Sequence, residues 1–346
     1  MVLFSFGLPG RFGDWCDAIT IRMAEAALGP VAAIDANTPE ELATALIKEE
    51  GRSFLVSGHL APGWLRRVVA ATDKPFIISL DDPRVATWEL VSRTGLELAG
   101  ATRLVGCSCV SMMRCTALSR ALVLHADRDW QQPLETAAAI ARHLALAVGL
   151  ADIERVVSDL AALGLSSETA SLTTNQPDDA TLAIINGAVA PYFGHLSGAP
   201  LEPITWAREL FLSDDHRPAT HAVDITGRSR AVLHGPYISL PPGKWLAEMV
   251  LGFTQEAADM NFVVDVKTTV VASVLGSTSI RPAQQGVFSV TLSFTIVEEN
   301  DHVIEFRVIN ERAAFDGRVM LGHVTLTRQH DLSIEAVALL TTELGI

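Results

Sequence analysis

His59 stands directly after the apolar run SFLVSG and just ahead of Pro62, where a strand would hand the chain over to a helix. An imidazole there, with an ordinary pKa near neutrality, can take a proton from a hydroxyl. Asp81-Asp82-Pro83-Arg84 follows a second apolar run, PFIISL, and sets a guanidinium beside two carboxylates. Gly7-Leu8-Pro9-Gly10-Arg11-Phe12-Gly13 joins a first apolar run to a helical pattern. Backbone N–H groups at such a turn lie at the positive end of a helix dipole and attract an anion. No Lys-Ser/Thr follows Gly13, so this is not the spacing of a Walker A loop, and a P-loop-like kinase is disfavoured. Each feature also has a plain alternative: a strand-to-helix turn for 7–13, and a helix-capping or solvated loop histidine for His59.

Alternating strand and helix signals over residues 1–150 hold these residues in place. VLFSFG, VAAIDA, SFLVSG, PFIISL and ALVLHAD read as short buried strands. Between them lie helical patterns, one opened by Thr38 as N-cap with Pro39 in its first turn. Asp14 is positioned to cap the helix after the first turn. This order predicts an α/β domain with a mostly parallel sheet and helices on both faces. Such sheets bind ligands at the carboxyl ends of their strands, where all three features fall. Residues 151–227 read as a helical connector, with DIERVVSDLAALGL, DDATLAIINGAVAPYFGHL and ITWARELFL as its helices. Over 228–346 the period changes to two. FSVTLSFTI places Phe288, Val290, Leu292, Phe294 and Ile296 on one face, which predicts an antiparallel β-sandwich or jelly roll, closed by a short C-terminal helix.

The chain has 346 residues, enough for two domains, and a formal charge of −14. That acidic balance argues against a nucleic-acid partner. No apolar run is long enough to span a bilayer, and the first residues lack the basic region of a signal peptide, so the expected location is cytoplasmic. Of the four cysteines, Cys107, Cys109 and Cys115 fall within nine residues. Without a second ligand pair they read as buried helix thiols in a reducing compartment, and no metal is expected. Asp214, Asp215, His216, His221 and Asp224 read as a solvated joint in preference to a metal cluster.

In the order GLPGRFG, GHLAP, DDPRVA and VLHADRDWQQPLE, the first 150 residues resemble the sulfotransferases, which use phosphoadenosine phosphosulfate. The resemblance implies that His59 is the catalytic base and that the sulfuryl group passes in line to an acceptor hydroxyl. It implies a donor site built from Gly7, Pro9, Gly10, Arg11 and Gly13, with Arg84 near the nucleotide. Departures from the family pattern are also present. Asp81 replaces an arginine that meets the 3′-phosphate, its serine partner is missing, and Asp14-Trp15 follow Gly13 where two hydroxyl residues are usual. Two like unit charges about 4 Å apart repel by roughly 4 kcal/mol at an effective dielectric near 20. Either the donor differs, or the domain is a scaffold.

The opening of the last domain, HGPYISLPPGKW, looks like the jelly-roll modules of bacterial carbohydrate-active and glycan-synthesis proteins. The resemblance implies a carbohydrate or glycoconjugate ligand and an association with polysaccharide-synthesis machinery. Tyr237 and Trp245 are then candidates for stacking on sugar rings, with core packing as the plain alternative. Arg307 and Asn310 can add polar contacts. The functional expectation is sulfuryl transfer to a carbohydrate hydroxyl; the alternative is a catalytically degenerate glycan-binding or assembly subunit.

Overall fold

The computed structural model describes residues 1–35, 38–48, 52–58, 63–166, 176–269, 273–297 and 303–329. The chain divides into two compact units, Met1–Pro200 and Leu201–Ile346. The expected C-terminal helix lies outside the described residues.

In the first unit the apolar runs form five parallel strands: β1 (Val2–Gly7), β2 (Val31–Asp35), β3 (Ser53–Gly58), β4 (Phe76–Leu80) and β5 (Ala121–His125). Their order is β2-β3-β1-β4-β5. Helices α1 (Arg11–Leu28), α2 (Pro39–Lys48), α3 (Gly63–Ala71), α4 (Pro83–Thr94) and α5 (Leu98–Thr116) link successive strands. Thr38 Oγ1 accepts from the Glu41 amide at 3.1 Å, the expected cap of α2. After β5 come a single turn α6 (Ala126–Asp129), then α7 (Pro133–His143), α8 (Leu150–Ala162) and α9 (Asp179–Leu196).

The connection leaving β1 runs toward β2, and the one leaving β4 runs toward β5. The carboxyl ends of β1 and β4 therefore flank the point where the winding reverses, the ligand crevice of open α/β sheets. Apolar side chains of α1, α7 and α8, among them Ile19, Met23, Ile140 and Val156, pack beneath Leu3, Leu55 and Ile77 of the sheet. Phe12 stacks on Trp15 and tilts against Trp130, which fixes the start of α1. Cys16, Cys109 and Cys115 are buried in α1 and α5, Cys107 is half-buried, and all four are reduced.

The second unit consists of two antiparallel sheets. One orders β6 (Ile204–Ala207), β10 (Gly243–Phe253), β13 (Gly286–Ile296) and β15 (Arg318–Gln329) as β13-β10-β15-β6, with β8 (Val223–Asp224) also on β15. The other orders β7 (Leu212–Ser213), β9 (Arg230–Ser239), β11 (Phe262–Thr268), β12 (Val274–Ile280) and β14 (Val303–Asn310) as β12-β11-β14-β9-β7. Val290, Leu292, Phe294 and Ile296 are buried at the expected alternation. Trp206 and Phe294 of the first sheet meet Phe306 of the second edge-on, at 5.9 Å between ring centroids.

The helical reading of ITWARELFL is corrected. Ile204 and Trp206 are buried two residues apart on β6, which pairs with β15 from Ile204↔Leu326 to Ala207↔His323. The four-residue strand is too short to display its own period, and the edge of β15 decides it. The helical part of the connector thus ends at α9, and residues from 201 onward supply strands of the second unit.

Candidate functional site

At the carboxyl end of β1 the chain must pass close to β4. A Cβ on Gly7 would lie 2.1 Å from Ser79 Oγ and 2.6 Å from the Ser79 carbonyl oxygen, so only glycine fits. The Leu8 amide donates to that carbonyl at 3.3 Å. The chain then turns at half-buried Pro9, and α1 starts at Arg11 with Gly10 as its N-cap.

Gly10 has no side-chain oxygen to accept from the first-turn amides, yet those amides have a partner. Asp81, the residue after β4, accepts from the Gly13 amide at 3.3 Å through Oδ2, and from the Phe12 amide. Its side chain fills the space over the turn: a Cβ on Gly10 would lie 2.3 Å from Asp81 Oδ2. Asp81 is 6% exposed. Burial is the largest influence on its carboxyl, raising its pKa to about 7. The Gly13 amide opposes that shift, while the charges of Asp14 and Glu89 reinforce it.

One expectation is corrected here. Asp14 does not cap α1: the helix begins three residues earlier, the Asp14 amide donates to the Gly10 carbonyl, and its carboxylate lies 3.6 Å from Arg93. Arg84 is held at the start of α4. Asp82, the N-cap of α4, accepts from the Arg84 amide at 2.9 Å and also holds the Arg84 guanidinium, with Nε 2.8 Å from Oδ2. Arg11 is the half-buried first residue of α1. His59, one residue beyond β3, lies outside the described residues.

A phosphate-bearing donor would have to displace Asp81 from this turn. Its amides already hold a carboxylate, and the charges of Asp14 and Glu89 act on that carboxylate. Gly10→Ala tests the arrangement. The new methyl group drives Asp81 off its amides and costs about 1–3 kcal/mol of stability as an overpacked site. Asp81→Ala in the same chain recovers most of that loss, a coupling that urea unfolding measures in a double-mutant cycle.

Sequence reasoning missed His125, the last residue of β5, opposite Leu80 in the strand register. It is buried, and that burial, aided by Arg128, lowers its pKa, so the ring is neutral at pH 7. The only signal was a polar residue closing the apolar run ALVLH. Ser197 Oγ lies 3.4 Å from its Nδ1. Beside α4, a mostly apolar cavity of about 260 Å³ is lined by Val85, Trp88, Leu182 and Ile185, with Arg84 and Glu89 at its polar side.

In the second unit the structure separates the two aromatic candidates. Trp245 is 0% exposed; it faces the core from β10 and its Nε1 donates to the Pro241 carbonyl at 3.0 Å. It is not a sugar platform. Tyr237 is half-buried on the outer face of the second sheet, in a left-handed backbone conformation (φ +66) that strains a residue with a bulky side chain. Its hydroxyl sits 2.6 Å from His234 Nδ1 and donates to Glu305 Oε1 at 2.9 Å. Glu305 also meets Lys267 Nζ at 2.7 Å. Beside it the Arg307 guanidinium donates to Asp265, with Nε 2.8 Å from Oδ1. Arg307 thus lies on this face, while Asn310 is buried and fastens loops by accepting from the Arg230 amide and donating to the Arg312 carbonyl.

Asp214 pairs with Arg230, Asp215 accepts from Ser213 and from the Arg217 amide, and His221 meets Arg208. Among the described residues no cluster of His, Cys, Asp or Glu is placed to hold a metal ion, and no helix is long and apolar enough to cross a membrane.

No family model matches the sequence, and no curated protein matches it. Among solved structures the chain is similar to a mouse sulfotransferase complexed with PAP, at 12% identity and a TM-score of 0.38, over 51% of this chain and 69% of that one. It is similar to the sulfotransferase domain of an olefin synthase from Synechococcus PCC 7002, at 12% identity and a TM-score of 0.33, over 54% of this chain and 93% of that one. It is also similar to a carbohydrate-binding module of the Cellvibrio mixtus lichenase 5A in complex with cellotriose, at 12% identity and a TM-score of 0.22, over 30% of this chain and 73% of that one. Its structural neighbours thus include sulfotransferases and jelly-roll carbohydrate-binding modules, all at low identity.

Proposed function

We propose that the chain is a glycan-binding protein whose first unit keeps a sulfotransferase-like framework with its anion turn closed by the chain's own carboxylate. The observation that carries this reading is Asp81 seated on the Gly13 amide, where a donor phosphate would have to go. An incoming phosphate must displace a buried group and then face Asp14 and Glu89. The second unit supports the glycan half of the reading. Tyr237, Arg307 and Lys267 supply a ring and donor groups on one sheet surface, anchored by the buried carboxylates of Asp265 and Glu305, and rings and donors of this kind suit a polyhydroxylated ligand. A protein of this kind would act beside polysaccharide-synthesis enzymes, supplying recognition.

Calorimetric titration of the intact protein with 3′-phosphoadenosine 5′-phosphate is the test. At pH 8 no heat of binding is expected up to about 1 mM nucleotide, a limit of about 4 kcal/mol in affinity. Saturable binding below that limit, lost or altered together with any sulfuryl-transfer activity in His59→Ala, would replace this reading with the catalytic one.

A further inference from the structure

At one end of the sandwich the turns after β10, β12 and β14 enclose an open basin of about 500 Å³. That volume falls within the range of about 300–1,000 Å³ common to small-molecule sites. It belongs to loops well separated in sequence from Tyr237, and none of its residues was singled out by motif or spacing.

Three observations bear on what the basin takes. First, Phe315 on its lip is 100% exposed. The ring touches nothing, so both faces are available to a ligand. Second, the polar lining carries both signs of charge: Glu256, Asp259 and Asp316 stand against Arg281 and Arg312, with the amide of Asn261 able both to donate and to accept. Asp259 and Arg281 already form an ion pair at 3.3 Å. An anionic ligand would meet three carboxylates, and a cationic one two guanidinium groups. A neutral ligand with many hydroxyls uses both, since each hydroxyl donates once and accepts twice. Third, the loops are held rigidly. The Asp259 amide donates to the Pro282 carbonyl at 2.7 Å, the Glu311 amide to the Asn261 carbonyl at 3.1 Å, and Ala314 exchanges two backbone hydrogen bonds of 2.8 Å with Gly227. Asp259 is held at φ +59, a strained conformation for a non-glycine residue. A site whose loops are ordered beforehand loses little entropy on binding.

We infer that this basin is a saccharide subsite, in which one neutral sugar ring lays its C–H face on Phe315 and shares its hydroxyls among Asn261, Asp316 and Arg312. The inference rests on the glycan-binding reading and adds to it a location, a residue and a ligand charge class.

The experiment titrates the intact chain with a panel of neutral oligosaccharides of glucose, xylose, mannose and galactose, followed by calorimetry and by saturation-transfer NMR. Phe315→Ala is expected to weaken binding by about tenfold or more, and Phe315→Trp to keep it, since a larger ring preserves the platform. Neither change should shift the melting temperature, because Phe315 packs against nothing. Arg307→Ala, on the sheet face, is the control. Binding that survives Phe315→Ala but is lost in Arg307→Ala overturns this subsite and leaves the glycan-binding reading standing. Absence of any saccharide signal from the parent protein overturns both. Stronger binding of acidic than of neutral sugars would overturn the charge class.

Discussion

Asp81→Asn should make the protein more stable at pH 8 than the parent, by an amount on the order of 4 kcal/mol, while leaving the two nearly equal at pH 4. The sign follows from linkage. The carboxyl has a pKa of about 7 in the folded chain, against an ordinary value near 4 when unfolded. Between those values the native state binds the extra proton, so stability is greatest at the acid end and is lost as pH rises toward 7, beyond which the loss is complete. Asparagine keeps an oxygen for the Gly13 amide and carries no charge, so the slope disappears. Urea unfolding of both proteins at pH 4, 6 and 8 measures it. Parallel pH profiles would show that Asp81 is not a buried ionisable group, and the closed-turn reading would fall with it. Asp81→Ala goes further, uncovering the first-turn amides, and is the variant in which nucleotide binding should first become measurable.

Trp245→Ala should cost about 3–5 kcal/mol, the loss typical of removing a large aromatic ring from a core. The indole is wholly buried on β10, opposite Phe294 of β13, and hydrogen-bonded to Pro241. Thermal denaturation reads the loss directly. Saccharide affinity of the remaining folded protein should be unchanged, which separates a packing role from a binding role. A variant of normal stability that had lost its affinity would restore Trp245 to the ligand.

Where local pattern decides structure, the sequence was legible. The five parallel strands appear as short, mostly apolar runs, the Thr38 cap as a hydroxyl ahead of Pro39, and the sandwich as strict alternation along β13. The candidate site was less so, because it is made of contacts across long stretches of chain. The nearest acid to the first turn in sequence is Asp14, and a local capping rule selects it. The acid that reaches the amides is Asp81, 68 residues from Gly13, brought there by the pairing of β1 with β4. Trp245 shows the same limit in a strand. One register puts it outward and the neighbouring register inward, and only the pairing with β13 and β15 chooses. The basin around Phe315 left no mark at all, because three separate turns supply it.

The placement of the cysteines has a practical consequence. All four lie between residues 16 and 115, within the first unit, and the second unit has none. Burial pushes the thiols of Cys16 and Cys109 well above their ordinary pKa, so they resist alkylation while the first unit is folded. Timed labelling with a thiol reagent therefore serves as a clock for the opening of one half of the molecule. Run alongside tryptophan fluorescence, which sees both halves, it would tell whether the two melt together or one after the other.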